Sequence, residues 1–321
     1  MNEQTIIIPD TLTRSDVKPA PNHCVLKSLS GKTMGTNWSA QFYAPDLPIG
    51  PIQNSIHDVF EAAIENFSNW SSNSSISRFN RANTLQEINV ANDVTTVLSK
   101  ALEIADATNG AFNPCLGEHA KNLTFVPEAE TSTSVSGHNQ LNAHWRQLEV
   151  PNNNRLTQPG NIQLDLSAIA KGYAVDQMAQ ALESNGVHSY LVEIGGEFVG
   201  KGVHSSGLPW WVQINASEPE NNIRVALCGK ALATSGSGER YLKTADQIVP
   251  HIQHKHLNNN SLTSVSILHE NCMEADAWAT ALFAMGDKEG LKLADDLQLM
   301  ALFQFKDQHH LISKALLPLT Q

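Results

Sequence analysis

The segment EADAWATALFAMG, residues 274–286, places Asp276 and Thr280 four positions apart. On a helix that spacing puts both side chains on one face. A carboxylate and a hydroxyl there present two hard oxygens. Such donors suit Mg²⁺, which completes its octahedron with water or phosphate oxygens. The plainer reading is an acid favoured by the helix dipole beside an ordinary helical threonine. A second segment, LDLSAIAKGYAVD, spans residues 164–176. It predicts a short strand ended by Asp165, then a helix with Ser167 as N-cap and Asn185-Gly186 as its stop. The early amides of that helix form an anion site, and Lys171 adds a positive charge one turn in. The competing reading is a capping aspartate and a surface lysine.

Other groupings say less by themselves. Gly195-Gly196 and Gly236 follow strand-like runs, where glycine lets a ligand approach the backbone but also serves tight turns. HIQHKH groups His251, His254 and His256 with no cysteine or carboxylate close by. It reads as a solvated loop that offers one histidine as an acid or base. WSSNSSISRFN, residues 70–80, reads as a polar loop. Cys24, Cys115, Cys228 and Cys272 are far apart with no C-x-x-C pair. They are expected to be buried reduced thiols rather than a zinc site.

These residues need elements to hold them. Gln53 to Phe67 repeats at helical spacing through Ile56, Val59, Phe60, Ala63, Ile64 and Phe67. Asn92 to Thr108 does so through Val94, Val97, Leu98, Ala101, Leu102 and Ala105, and Gly110 stops it. Strands are expected near Trp145 to Val150 and in HSYLVEIGGEF, PWWVQINA, IRVALCG, KALATSG, SVSILH, LMALFQF and HHLISKA. A short helix is expected from Asp287. Many strands arrive as neighbours with no helix between them, which points to an α+β fold with mostly antiparallel pairing. Residues 1–30 read as a tail or an early strand, and residues 31–315 as one domain.

The chain has 321 residues, with 21 Lys plus Arg against 32 Asp plus Glu, a net charge of −11. That balance argues against nucleic acid as a partner and against a polybasic membrane anchor. No run approaches the roughly 20 apolar residues of a membrane span. The N-terminus has no basic region, and no lipoprotein box precedes Cys24. The expected location is cytoplasmic, or periplasmic if an export signal has been removed.

The order of the blocks is more specific than any one of them. M-G-T at 34–36 is followed by S-x-W-x-x-x-S-x-I-S-R-F-N at 68–80, then N-G-A-F-N-P at 109–114. After these come L-D-L-S-A-I-A-K-G-Y-A-V-D, I-G-G-E at 194–197, A-T-S-G-x-x-E-R at 233–240 and A-D-A-W-A-T-A-L at 275–282. This order closely resembles the ApbE family, flavin transferases that move FMN from FAD onto a protein Thr or Ser. The likeness extends from Met34 to Gly286.

The resemblance implies a single T-fold-like α+β domain with antiparallel sheets and flanking helices. It implies Mg²⁺ held by Asp276, Thr280 and the Ala168 carbonyl, with FAD as substrate. It implies FAD contacts from Met34, Trp70, Ala111, Phe112, Asn113, Asp165, Lys171 and Ile252. Lys171 and His251 are the implied catalytic groups, and the implied partner is an acceptor flavoprotein with a Thr or Ser site. Trp70 stands where relatives often carry Tyr, and Asn113 where many carry Asp. His254 and Lys255 replace the family's Asp-Pro, and the Thr-Gly after them is gone. Because that change falls beside the site, an FAD pyrophosphatase and a non-catalytic FAD-binding protein are the alternative readings.

Overall fold

A computed structural model describes residues 5–9, 12–14, 16–116, 143–150, 153–214, 223–236, 241–243, 248–250 and 261–321. The strands are β1 (Ile6–Ile7), β2 (Cys24–Thr33), β3 (Thr36–Pro45), β4 (Glu87–Asn89), β5 (Arg155–Thr157), β6 (Tyr190–Ile194), β7 (Glu197–Lys201) and β8 (Trp210–Ile214). They continue with β9 (Ile223–Leu227), β10 (Lys230–Gly236), β11 (Tyr241–Lys243), β12 (Ile248–Pro250), β13 (Leu262–His269), β14 (Met300–Phe305) and β15 (His310–Ile312). The helices are α1 (Gly50–Phe67), α2 (Ser75–Asn80), α3 (Asn92–Ala107), α4 (Ser167–Ser184), α5 (Cys272–Met285) and α6 (Asp287–Asp296).

The chain divides into two compact units. The first gathers Met1–Ile64, Ala168–Glu239 and Ile252–Gln321. Its frame is an eight-stranded sheet in the order β15-β14-β13-β10-β7-β6-β3-β2, and every neighbouring pair is antiparallel. Alternation sorts the faces of this sheet. Leu232, Leu268 and Leu302 point to one side, where they join Val212, Val225 and Leu227 of the small β1-β9-β8 sheet in one apolar cluster. Ala231, Ala233, Ile267 and Ala301 lie on the opposite face, in paired register. α5 packs over β10 and β13, and the alanines on both sides keep that approach short. α5 is apolar almost all round, as befits a helix buried in a core.

The ends of the first unit are tied together. β1 pairs in parallel with β9. The Ile6 N–H donates to the Gln321 carbonyl at 3.1 Å, and the Gln321 N–H donates to the Ile6 carbonyl at 2.8 Å. The sequence before Ser30 therefore contains β1 and the start of β2.

The second unit comprises Glu65–Ser167 and Arg240–His251. It holds α2, α3, the β4-β5 pair and the β11-β12 pair. α3 ends as expected, with Gly110 at φ 81° and its N–H on the Ala105 carbonyl. Three sequence expectations are corrected here. Leu164 and Asp165 form no strand, because the Asn80 side chain takes both the Leu164 N–H (2.7 Å) and the Leu164 carbonyl (2.9 Å). Ala143–Gln147 is a 3-10 turn instead of a strand, with the Arg146 guanidinium 4.2 Å over the Trp145 ring. The polar run after Trp70 contains α2, which Ser74 caps by accepting the Ser77 N–H at 3.0 Å. On α1, Ile56, Phe60, Ala63 and Phe67 are buried as the period requires, whereas Ile64 is exposed.

No helix among the described residues is long and apolar enough to cross a membrane.

Candidate active site

In the first unit, α4, α5 and the start of β7 bring three charged side chains together. Lys171 lies on α4, and its Nζ is 2.5 Å from Glu197 Oε1 and 3.7 Å from Asp276 Oδ1. Asp276 lies on α5 and is 2% exposed, and Glu197 opens β7 and is 3% exposed. Two buried acids survive folding only with such partners. Burial opposes the charge on Lys171, but the Asp276 and Glu197 carboxylates outweigh it and hold the ammonium above its usual value. One ammonium cannot neutralise two carboxylates. Burial, with Asp276 beside it, pushes the Glu197 carboxyl upward against the pull of Lys171. Glu197 Oε2 has no hydrogen-bond partner among the described residues.

Gly172 makes this meeting possible. A side chain there would collide with the Cys272 carbonyl and come within 2.8 Å of Asp276 Cβ. The bare backbone instead donates the Gly172 N–H to Asp276 Oδ2 at 2.9 Å. In a helix that N–H serves the carbonyl four residues back, which is the Ala168 carbonyl. One turn along α5, the Thr280 hydroxyl lies 2.9 Å from the Ser235 hydroxyl on β10. Asp176, one turn beyond Gly172, accepts the Cys272 N–H at 2.8 Å and the Met273 N–H at 2.9 Å. It therefore fixes the first turn of α5, and burial raises its carboxyl to about 6. Asn271 completes the cap by accepting the Glu274 N–H.

The sequence-assigned residues fall into three groups. Ala168, Lys171, Asp276 and Thr280 belong to the first unit, and Lys171 and Asp276 are in direct contact. Met34 belongs there too, but it sits in the β2–β3 turn with φ 47° ahead of Gly35 at φ 76°. The second unit holds Trp70, Ala111, Phe112, Asn113 and Asp165. There Asp165 Oδ1 accepts the Asn69 side-chain N–H at 3.1 Å and the Ser167 N–H at 2.9 Å. So Asp165, rather than Ser167, caps the start of α4. Asn69 is held by Asn80 at 3.2 Å, and the adjacent Trp70 is 68% exposed. Phe112 is buried, with its N–H on the Thr108 hydroxyl, and Asn113 accepts the Cys115 N–H. His251 and Ile252, with His254, Lys255 and His256, lie outside the described residues.

Sequence reasoning missed Glu197 and Ser235. Gly195 and Gly196, at φ 66° and 104°, close a tight β6–β7 hairpin, which delivers Glu197 to the site. The available signal was an acid at the first position after that turn, on a strand that runs on into the core. All four cysteines are unpaired. Cys228 and Cys272 are buried, and Cys24 and Cys115 are half-buried. Burial pushes the Cys115 thiol up to about 12 and the Cys272 thiol well above its usual value, so neither reads as a nucleophile.

The donor set fits a hard divalent cation. It offers the Asp276 carboxylate, the Thr280 hydroxyl, a buried Glu197 oxygen without a partner, and a helix-end carbonyl whose ladder donor also serves Asp276. Among the described residues no three His, Cys, Asp or Glu side chains converge on one point. A cation here depends on hydroxyl and carbonyl oxygens as well.

Fold and site together define an α+β protein with a buried carboxylate–lysine cluster, suited to hold a cation against an anionic ligand. The chain belongs to the ApbE family, which it matches over residues 34–303. It is 31% identical to the FAD:protein FMN transferase of Vibrio cholerae, across 87% of each chain. The FAD:protein FMN transferase of Escherichia coli K12 is 27% identical, over 85% of this chain and 82% of that one. The structure of the flavin transferase ApbE from Vibrio cholerae superimposes with a TM-score of 0.78 at 28% identity, covering 92% of this chain and 99% of that chain. The apo flavinyl transferase ApbE of Pseudomonas stutzeri shares the fold, with a TM-score of 0.80 at 24% identity.

Proposed function

We propose that this chain is an enzyme, an FAD:protein FMN transferase. The observation that carries the reading is the Lys171–Asp276 contact, with Thr280 one turn along α5, in a member of this family. FAD is the substrate and a second protein the acceptor. Ala168, Glu197, Asp276 and Thr280 supply oxygens for Mg²⁺, which when bound withdraws charge from the phosphoanhydride. Lys171 neutralises charge on the phosphate that is transferred. Met34, Trp70, Ala111, Phe112, Asn113, Asp165 and Ile252 are assigned to the flavin nucleotide. The hydroxyl of an acceptor Thr or Ser attacks the phosphorus that carries riboflavin. A phosphoester bond forms, the anhydride bond breaks, and AMP leaves. The hydroxyl proton passes to a base, the role assigned to His251. Such transition states are loose, so positioning and charge contribute more than the base does.

The test is incubation with FAD, Mg²⁺ and an acceptor domain, following AMP release and acceptor mass together. AMP with a gain of one FMN unit on the acceptor is the expected result. AMP with free FMN and an unmodified acceptor, across several acceptors, would replace transfer with hydrolysis.

A further inference from the structure

Lys171, Glu197 and Asp276 are one cation facing two carboxylates, in a place nearly closed to water. No second cation pairs with either acid among the described residues. Glu197 spends Oε1 on the ammonium and leaves Oε2 buried without a donor. Asp276 accepts the Gly172 N–H at Oδ2 and turns Oδ1 toward Lys171. The ammonium therefore stands between two oxygens that each need positive charge, and it meets only part of that need. A divalent cation in that position meets both. The two acids are fixed by their short side chains and by burial. Lys171 is different, because its side chain is 21% exposed on a flexible stem and its head can leave toward solvent.

We propose that Lys171 is an exchangeable counter-ion. In the cation-free protein its ammonium occupies the space between Glu197 and Asp276, and an entering divalent cation displaces it. The inference rests on the cation site of the proposed function and deepens it. Glu197 becomes a positioning residue with two states: it parks Lys171 when the cation is absent and faces the cation when it is present. The exchange also sets an order. Lys171 becomes available to a phosphate only after the cation has arrived, so a dinucleotide alone meets a lysine already engaged by two carboxyl groups.

The test needs neither FAD nor an acceptor. Mn²⁺ binding is titrated by electron paramagnetic resonance on the wild type, Lys171→Met and Lys171→Arg, and the wild type is crystallised with and without Mg²⁺. Exchange predicts at least tenfold tighter Mn²⁺ binding by Lys171→Met, which removes the competitor. It predicts at least tenfold weaker binding by Lys171→Arg, whose planar fork clamps both acids. A lysine that merely repels the cation from nearby would leave Arg equal to Lys, and that result would overturn the proposal. Should Lys171→Met fail to fold, Lys171→Arg keeps the charge and decides alone. In the Mg²⁺-loaded crystal, Lys171 Nζ should lie more than about 4 Å from both carboxylates, beyond ion-pair range. A Lys171–Glu197 pair retained beside a bound cation overturns the exchange and leaves the transferase reading intact. No Mn²⁺ binding by any of the proteins overturns the cation site itself, and the exchange with it.

Discussion

Replacing Gly172 with alanine adds one methyl group where two helices meet. The ideal Cβ lies 2.8 Å from Asp276 Cβ and closer still to the Cys272 carbonyl. Ordinary carbon–carbon contact is about 3.5–4.0 Å. One of the obstacles is backbone, so no rotamer change removes the overlap, and α4 and α5 must separate by about 1 Å. Overpacking of this kind costs typically about 1–3 kcal/mol, more where the neighbour cannot yield. Alanine returns about 1 kcal/mol of helix propensity. The carbonyl cannot rotate away, so the upper part of the overpacking range applies, and the net loss is about 2 kcal/mol. At about 2 °C per kcal/mol for a chain of this size, melting should fall by roughly 4 °C in a calorimetric scan. The same shift pulls Asp276 from the Gly172 N–H and from Lys171, so Mn²⁺ affinity should fall together with Tm. A variant as stable as the wild type, with unchanged Mn²⁺ affinity, would refute both the close crossing at Gly172 and its role in seating Asp276.

Three further outcomes follow from the same geometry. Asp276→Asn should lower the rate of acceptor flavinylation at least about 100-fold at saturating FAD and Mg²⁺, the scale of losing one charge-stabilising group; near-normal turnover would remove Asp276 from the site. Ser235→Ala leaves the Thr280 hydroxyl without its 2.9 Å partner, so Mn²⁺ affinity should weaken several-fold while Tm moves by less than about 2 °C. Asp176 has a folded pKa of about 6 against 3.8 for the free group, so between these values the folded state keeps a proton that the unfolded state has lost. Its contribution to stability is then full below about pH 4 and falls as pH rises to about 6, by up to about 3 kcal/mol. Denaturant midpoints from pH 4 to 7 should therefore show a downward component that Asp176→Asn abolishes, and parallel curves for the two proteins would contradict it.

Much of the frame could be read from spacing. α1 and α3 follow the 3.6-residue period because each buries one stripe, and both glycine stops behave as left-handed caps. Asp276 and Thr280 share a helix face because four residues make about one turn. What escaped reading was tertiary in origin. Glu197 reaches Lys171 across 26 positions, and no local pattern reports that distance. Leu164 and Asp165 have strand-like alternation, yet a side-chain amide from Asn80, 84 positions away, takes the backbone groups of Leu164 that a neighbouring strand would need. The anion-site reading of A-K-G-Y rests on the early helix amides and Lys171, and it gives Gly172 no role. The immediate task of Gly172 is to let a second helix come close. Several family blocks coincide with local structural devices: M-G-T is a hairpin turn, I-G-G-E another, and A-V-D holds the first turn of α5.

The pairing of Ile6 with Gln321 sets a clock on biosynthesis. The first strand leaves the ribosome more than 300 residues before the segment that completes its hydrogen bonds. At about 5–20 residues per second the wait is roughly 15–60 s. Ile7 can pack against Val225 once β9 is made, but Leu316 and Leu319, which complete its cluster, arrive only at the end. Lys171 and Glu197 emerge before Asp276, so they can pair first, and α5 then adds the second carboxylate. The nascent chain thus carries an apolar strand whose cluster is incomplete until its last residues are made. A holding chaperone would act in that interval, before the two ends of the chain meet.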